Sequence, residues 1–219
     1  MNIEEIGVCS FGRTTSSRCK EKLIRPFGSS SLTDIFLSKL AKVGDNVFFA
    51  GYESIFKEKC ELHNVPFVQR SFESANIDEP ASKIYEVLND QPYEYFLLVN
   101  ACLPFLKLDS ILDFLKLCTS DEKPKFAVFK KNNFYTDQNG NPYNFSTKLS
   151  TINTKNVKQV NEFAHVFYFF KKSYFVDNGW YWNWNDVSYI EIDESLETFD
   201  IDTEEQFQMA NAMWNGGLV

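Results

Sequence analysis

Through its first 120 residues the chain alternates short apolar runs with stretches of helical periodicity. That order constrains the fold more than any other feature of the sequence. Parallel neighbours in a sheet need long crossovers, and helices supply them. Residues 6–11, 46–50, 66–69 and 95–99 read as strands. Ser31 caps a helix through about residue 42, with Leu32, Ile35, Phe36 and Leu40 on one face. Residues 54–63, 79–89 and 108–118 read as further helices. Such an alternation predicts an α/β protein: a mixed, mostly parallel sheet with helices on both faces, a Rossmann-like three-layer arrangement.

The pattern changes after residue 120. Residues 126–129 read as a strand, and Asn139-Gly140 is a turn signal between aromatic runs, so a hairpin is expected there. Residues 160–170 form a long apolar strand, 171–176 a short helix, 187–192 a strand and 203–213 a closing helix. No internal repeat or low-complexity linker interrupts the chain. One domain over residues 1–219, with an inserted β-hairpin arm around 130–160, accounts for it.

Composition excludes several classes. A net charge of −8 opposes nucleic-acid binding, which asks for a broad basic face, although a nucleotide needs only a local basic pocket. No apolar run reaches the length of a membrane span, and residues 1–11 lack the pattern of a signal peptide. Cys9, Cys19, Cys60, Cys102 and Cys118 show no CxxC spacing, so reduced thiols in a cytoplasmic protein are expected. His63 and His165 are too few for a histidine-rich metal site. The 22 phenylalanines make an aromatic core the expectation.

Against this acidic background, the segment after the first strand is basic. Arg13-Thr14-Thr15-Ser16-Ser17-Arg18-Cys19-Lys20-Glu21-Lys22-Leu23-Ile24-Arg25 carries five basic residues and one acid. A loop between a strand and a helix can present N–H groups and cations to phosphates. It matches neither the Walker A spacing nor a GxGxxG fingerprint. The bland alternative is a solvated basic loop.

The pattern Arg13-x-x-Ser16-Ser17-Arg18-x-x-x-Lys22, followed by Pro26-Phe27 and a helix, resembles the opening signature of the CMP-sugar cytidylyltransferases. That family includes CMP-sialic acid (acylneuraminate) synthetases, CMP-Kdo synthetases and the spore-coat polysaccharide type. The resemblance implies that Arg13, Ser16 and Lys22 bind a triphosphate, with Thr14 and Thr15 where several members have glycines. Thr14, Thr15, Ser17 and Arg18 complete the expected nucleotide-binding loop. A second match, Gln69-Arg70-Ser71-x-x-Ser74-Ala75-Asn76-x-Asp78, implies nucleotide contacts from Arg70 and Asn76; taken alone, Arg70 reads as a salt-bridge former. A third, Val99-Asn100-Ala101-Cys102-Leu103-Pro104, implies a nucleotide contact from Asn100. Cys102 stands where the Kdo branch has a metal-binding Asp, and reads as a small buried thiol.

A fourth match is Phe199-Asp200-Ile201-Asp202. In extended backbone, alternate residues face one side, so Asp200 and Asp202 can aim two carboxylates at one Mg²⁺. The alternative makes Asp202 a helix cap with Glu205 completing a capping box. His165 reads either as a structural histidine or as a residue of the sugar pocket. Trp180, Trp182 and Trp184 read as packing, or as a platform for a sugar or partner.

The resemblance implies a nucleotidyltransferase fold and Mg²⁺-assisted transfer of CMP from CTP to the hydroxyl of a nonulosonic or 3-deoxy-ulosonic acid, in surface glycan synthesis. Arg13 and Lys22 would be the catalytic cations, and a homodimer formed through the arm the assembly. Two other classes stay open: a GT-A-like glycosyltransferase using a nucleotide-sugar, and a non-catalytic nucleotide-binding module.

Overall fold

The computed structural model describes residues 1–217; residues 218 and 219 of the expected domain lie outside the described part. In chain order the elements are β1 (Ile6–Phe11), α1 (Leu32–Leu40), β2 (Val47–Gly51), α2 (Ser54–His63) and β3 (Phe67–Gln69). Then come α3 (Phe72–Asn76), α4 (Ala81–Ile84), β4 (Tyr95–Val99), α5 (Leu108–Cys118) and β5 (Lys125–Lys131). β6 (Val160–Lys171), α6 (Lys172–Asn178), β7 (Ser188–Glu191) and α7 (Glu204–Asn215) complete the chain. The strands form one sheet of order β3-β2-β1-β4-β6-β5-β7. β6 pairs antiparallel with both neighbours, and every other pairing is parallel. The expected α/β sheet is therefore present.

The alternation of side chains along a strand divides the core in two. Val8, Phe49, Leu97 and Phe169 point to the face covered by α1, α2, α5 and α7. Cys9, Phe48, Phe96, Phe126 and Phe170 point to the other, beneath α4 and α6. Strands buried on both faces explain why β2 and β4 are unbroken apolar runs rather than alternating ones. The phenylalanines do most of the filling, with stacked and edge-on pairs such as Phe114–Phe167 and Phe48–Phe96.

Two sequence expectations are corrected. The helix expected over 79–89 breaks into α4 and a separate 3-10 turn, Glu86–Asp90. Tyr85 leaves helical geometry there, with its ring edge-on to Phe11 and Tyr181, so tertiary packing overrides local propensity. The arm also lacks a two-stranded ladder. The turn falls where Asn139-Gly140 puts it, with Asp137 N–H donating to Asn141 O at 2.9 Å and Tyr143 N–H to Tyr135 O at 2.8 Å. Only a single bridge, Thr136 to Pro142, follows, because Pro142 has no N–H to extend a ladder. Buried Asn144 holds the loop instead, donating to Asn133 O and Lys158 O and accepting from Tyr135 N–H.

The sheet order places β1 between β2 and β4, so connections leave it in opposite directions. Open α/β sheets bind ligands at the carboxyl ends of the strands at such a switch point. Here that means the ends of β1 and β4. Among the described residues no helix is long and apolar enough to cross a membrane.

Gly12, at the end of β1, sets how the next loop departs. A Cβ there would lie 2.7 Å from Phe49 Cζ and 2.9 Å from Phe56 Cε1. Gly12→Ala is expected to cost about 1–3 kcal/mol through overpacking. Urea unfolding would show a lower midpoint with an unchanged m-value; an unchanged midpoint would mean the rings have room to move.

Candidate active site

A crevice of about 440 Å³ opens at the switch point. Ser10 and Phe11 from the end of β1, and Leu98 to Ala101 from β4 and its turn, form one part of the wall. Tyr85, His165 and Tyr168 form an aromatic part, while Asp200, Asp202 and Arg18 supply the charge.

Two stretches of chain 180 residues apart meet here. Lys22 Nζ donates to the Ile201 carbonyl and to Asp202 Oδ1, the latter at 3.2 Å. Arg18 Nη2 reaches the same Asp202 oxygen at 2.9 Å. Lys22 is largely enclosed and Arg18 mostly exposed, so the Lys22 pair is the less screened of the two. Burial works against the Lys22 charge, yet Cys102, Asp200 and Asp202 outweigh it and hold the ammonium above its usual pKa.

Asp200 is placed by Asn100. The Asn100 amide donates from Nδ2 to Asp200 Oδ2 and to His165 O, both at 3.0 Å, and its Oδ1 accepts from Cys102 N–H at 2.9 Å. Asp200 Oδ1 is buried without a partner. Burial raises the Asp200 carboxyl pKa, Lys22 pulls it back, and burial prevails. Asp202 is not the helix cap: Thr203 accepts from Gln206 N–H at 3.2 Å, and Gln206 Oε1 accepts from the N–H groups of Asp202 and Thr203. Thr203 and Gln206 form the capping box in place of Asp202 and Glu205, which leaves the Asp202 carboxylate free to face Lys22 and Arg18.

These carboxylates fit a divalent cation. Mg²⁺ is commonly held by one or two carboxylates together with substrate phosphates, and Asp200 offers an unshared buried oxygen. Among the described residues no cluster of three His, Cys, Asp or Glu side chains suited to a metal occurs, so such an ion would depend on a ligand's oxygens. Cys102 takes no part as a nucleophile: burial lifts its thiol to about 12.

His165 occupies a strained position. Phe126 pairs with Tyr168 and Val128 with Phe163, so Ala127 alone stands opposite residues 164–167 of β6. His165 lies in this bulge at φ 51°, a left-handed conformation uncommon outside glycine. Its Nδ1 is hydrogen-bonded to the Tyr168 hydroxyl, and burial keeps that phenol protonated far above neutral pH. Tyr168 in turn stacks on Trp182, with ring planes 3° apart. Trp182 is therefore packing, whereas Trp180 and Trp184 are exposed.

The rest of the basic loop lies beside the crevice, around a hollow of about 530 Å³. Arg13, Thr14, Thr15, Ser16 and Ser17 line it together with Lys20 and Asn76. Arg13 Nη2 pairs with Asp78 at 2.7 Å. Thr14 donates from both N–H and hydroxyl to Glu53 Oε1, and Thr15 donates to Asn76 Oδ1 at 3.3 Å. Ser16 Oγ accepts from Cys19 N–H at 3.4 Å. Arg70 lines neither cavity. It is buried, donating to Ser74 Oγ, Ser74 O, Gly12 O and Ile84 O, and burial lowers its pKa to about 10. Its guanidinium pins the end of β1 to α3 and α4, the role of a structural staple rather than of a ligand contact.

The sequence reading missed Tyr85 and Tyr168 as crevice walls, hidden within apolar periodicity. It also missed Glu53 and Asp78 as counter-ligands of the loop, since neither sits in a charged run.

No protein-family model and no curated protein sequence matches this chain. Solved structures do share its fold. A CMP:2-keto-3-deoxy-manno-octonic acid synthetase complexed with CTP superposes with a TM-score of 0.66 at 9% identity, over 97% of this chain and 99% of that one. The 4-diphosphocytidyl-2C-methyl-D-erythritol synthase of Anaerococcus prevotii DSM 20548 gives 0.65 at 15% identity, over 97% of each chain. A cytidylyltransferase from Leptospira borgpetersenii serovar Hardjo-bovis (strain JB197) gives 0.63 at 13% identity, over 95% of this chain and 85% of that one. The fold is thus shared with these structures along nearly the whole chain.

Two outcomes follow from the carboxylates. A raised Asp200 pKa favours the folded state while the group is protonated and costs stability as pH rises through the folded value. Asp200→Asn should therefore melt above the wild type at pH 7, with the gain shrinking as pH falls toward the carboxylate range. A lower melting temperature at pH 7 would refute the assignment. Asp202→Asn releases Lys22 and Arg18, and should bind tripolyphosphate about fivefold more tightly in EDTA, roughly 1 kcal/mol. Titration calorimetry showing equal or weaker binding would mean that Asp202 does not restrain these cations.

Proposed function

We propose that this chain is a cytidylyltransferase that moves CMP from CTP to the hydroxyl of a small acceptor and releases pyrophosphate. The observation that carries this reading is the meeting of Lys22, Arg18, Asp200 and Asp202 at the switch-point crevice. The shared fold supports it, since one similar structure holds CTP and another is named a cytidylyltransferase. The acceptor implied by the sequence resemblance is a nonulosonic or 3-deoxy-ulosonic acid for surface glycan synthesis.

The acceptor hydroxyl attacks the α-phosphorus of CTP; a new P–O bond forms as the bond to the β-phosphate oxygen breaks, pyrophosphate leaves with that electron pair, and the hydroxyl proton passes to solvent. Such transfer asks the protein mainly for positioning and charge neutralisation. Lys22 and Arg18 exchange Asp202 for phosphate oxygens, and Arg13 exchanges Asp78. Thr14, Thr15, Ser16 and Ser17 present hydroxyl and N–H donors beside them. Asp200 and Asp202 would hold Mg²⁺, which when bound supplies further neutralisation at the phosphate oxygens. Asn100 keeps Asp200 aimed at the crevice. His165, fixed through Nδ1, turns its other ring nitrogen to the acceptor. The arm around residues 130–160 is the proposed dimer contact.

The test is pyrophosphate release from CTP, UTP, TTP, ATP and GTP with Mg²⁺ and a panel of sugar acids. CTP with one acid should give release, and Lys22→Ala should lower turnover at least about tenfold, near 1.4 kcal/mol of barrier. Transfer from a nucleotide-sugar without pyrophosphate release would favour a glycosyltransferase instead. Nucleotide binding with no turnover across the panel would favour a binding module.

A further inference from the structure

A second cavity, of about 740 Å³, lies on the α1, α5 and α7 side of the sheet, behind the turn that follows β4. Phe105, Leu108, Leu196 and Trp214 give it an apolar lining, and Lys39 of α1 reaches it. The Lys39 ammonium donates to Pro104 O at 2.7 Å and, among the described residues, has no carboxylate within ion-pair distance. The neighbouring Glu197 is already engaged: Lys107 Nζ lies 2.7 Å from Oε1, while Ser110 Oγ and Lys107 N–H donate to Oε2. An ammonium enclosed by apolar surface with only a carbonyl for a partner is costly to hold charged. Burial accordingly lowers its pKa to about 8, with Glu197 opposing only in part.

We infer that this cavity is a binding site for a small apolar anion, an amphiphilic carboxylate or sulfonate whose charge pairs with Lys39 and whose body packs on Phe105 and Trp214. The charge complementarity is specific to Lys39, because Lys107 and Glu197 neutralise each other at the rim and Asp109 stands at the mouth on the first turn of α5. Phe105 and Trp214 already form a tilted pair, with ring centroids 6.0 Å apart, against which a flat or aliphatic body can lie. The site is separate from the crevice and independent of the activity proposed for it. A ligand there would touch the turn carrying Asn100 and Cys102 through Pro104, and α7 through Trp214.

The probe is anilinonaphthalene sulfonate, followed by its fluorescence on the intact chain, with decanoate as competitor. One probe per chain should bind and be displaced by decanoate. Lys39→Met should weaken binding at least about tenfold, and Lys39→Arg should retain it. Wild-type affinity should fall as pH rises from about 7 to about 9, because Lys39 loses its proton across that range. The other charged groups facing the cavity are Lys107, Asp109 and Glu197. The first is held protonated and the last ionised by their mutual pairing, so neither supplies the change. Absence of binding, a Lys39→Met variant that binds as tightly as wild type, or a flat pH profile for the wild-type protein would each overturn the inference. The pH profile needs no variant to fold.

Discussion

One carboxylate oxygen organises this molecule's working end. Asp202 Oδ1 receives Arg18 and Lys22 from the first loop, while its own N–H is capped by Gln206 of the final helix. Without that junction the loop after β1 and the start of α7 would be two unrelated surface segments. With it, the first and last parts of the chain close one crevice across the ends of β1 and β4. The arrangement also explains how an acidic protein fastens a basic loop to the rest of its fold. Arg13, Arg18, Lys22 and Arg25 each have a carboxylate partner, in Asp78, Asp202 and Glu204. An incoming polyanion would therefore have to displace existing partners, since none of these four cations is bare.

Such substitution has an energetic logic. The Arg13–Asp78 and Arg18–Asp202 pairs each have a mostly exposed member and contribute little to stability, so exchanging them for a phosphate sacrifices little, whereas the more enclosed Lys22–Asp202 pair is the costlier one to exchange. Asp200 stands on the other side of the ledger. Its ionised form is strained by burial and its Oδ1 has no partner, a cost the fold tolerates at the place where a cation with phosphate oxygens would relieve it. Stability and binding capacity are thus set against each other in a single side chain.

Much of the sheet was legible in the sequence, because strands buried on both faces must be apolar throughout. β1, β4, α2 and α5 fall where their runs and periodicities place them. Tyr85 was not legible: its departure from helical geometry depends on Phe11 and Tyr181, which are distant in sequence. Nor was the cap at Thr203, since Asp202 and Glu205 satisfy the same local rule and only the tertiary pull of Lys22 and Arg18 decides between them. Arg70 shows the same limit from the other direction. Its motif context suggested a ligand contact, but four internal acceptors claim its donors, and no local pattern announces them. Charge and order along the chain identified the site's neighbourhood; three-dimensional competition for hydrogen bonds assigned its members.

The bulge in β6 gives the fold a place to vary. Residues 164–167 face a single residue of β5, so the ladder absorbs the surplus locally and regains its pairing at Phe126 and Tyr168. On its other side the segment stays in register with β4, where Val99 pairs with Phe167 and Asn100 N–H donates to Val166 O. Ala164, Val166 and Phe167 stay buried in the core, while His165 alone turns out of it to line the crevice. The defect thus holds three side chains in the packing and frees one, so a substitution at position 165 reshapes the crevice wall and leaves the Asp202 junction untouched.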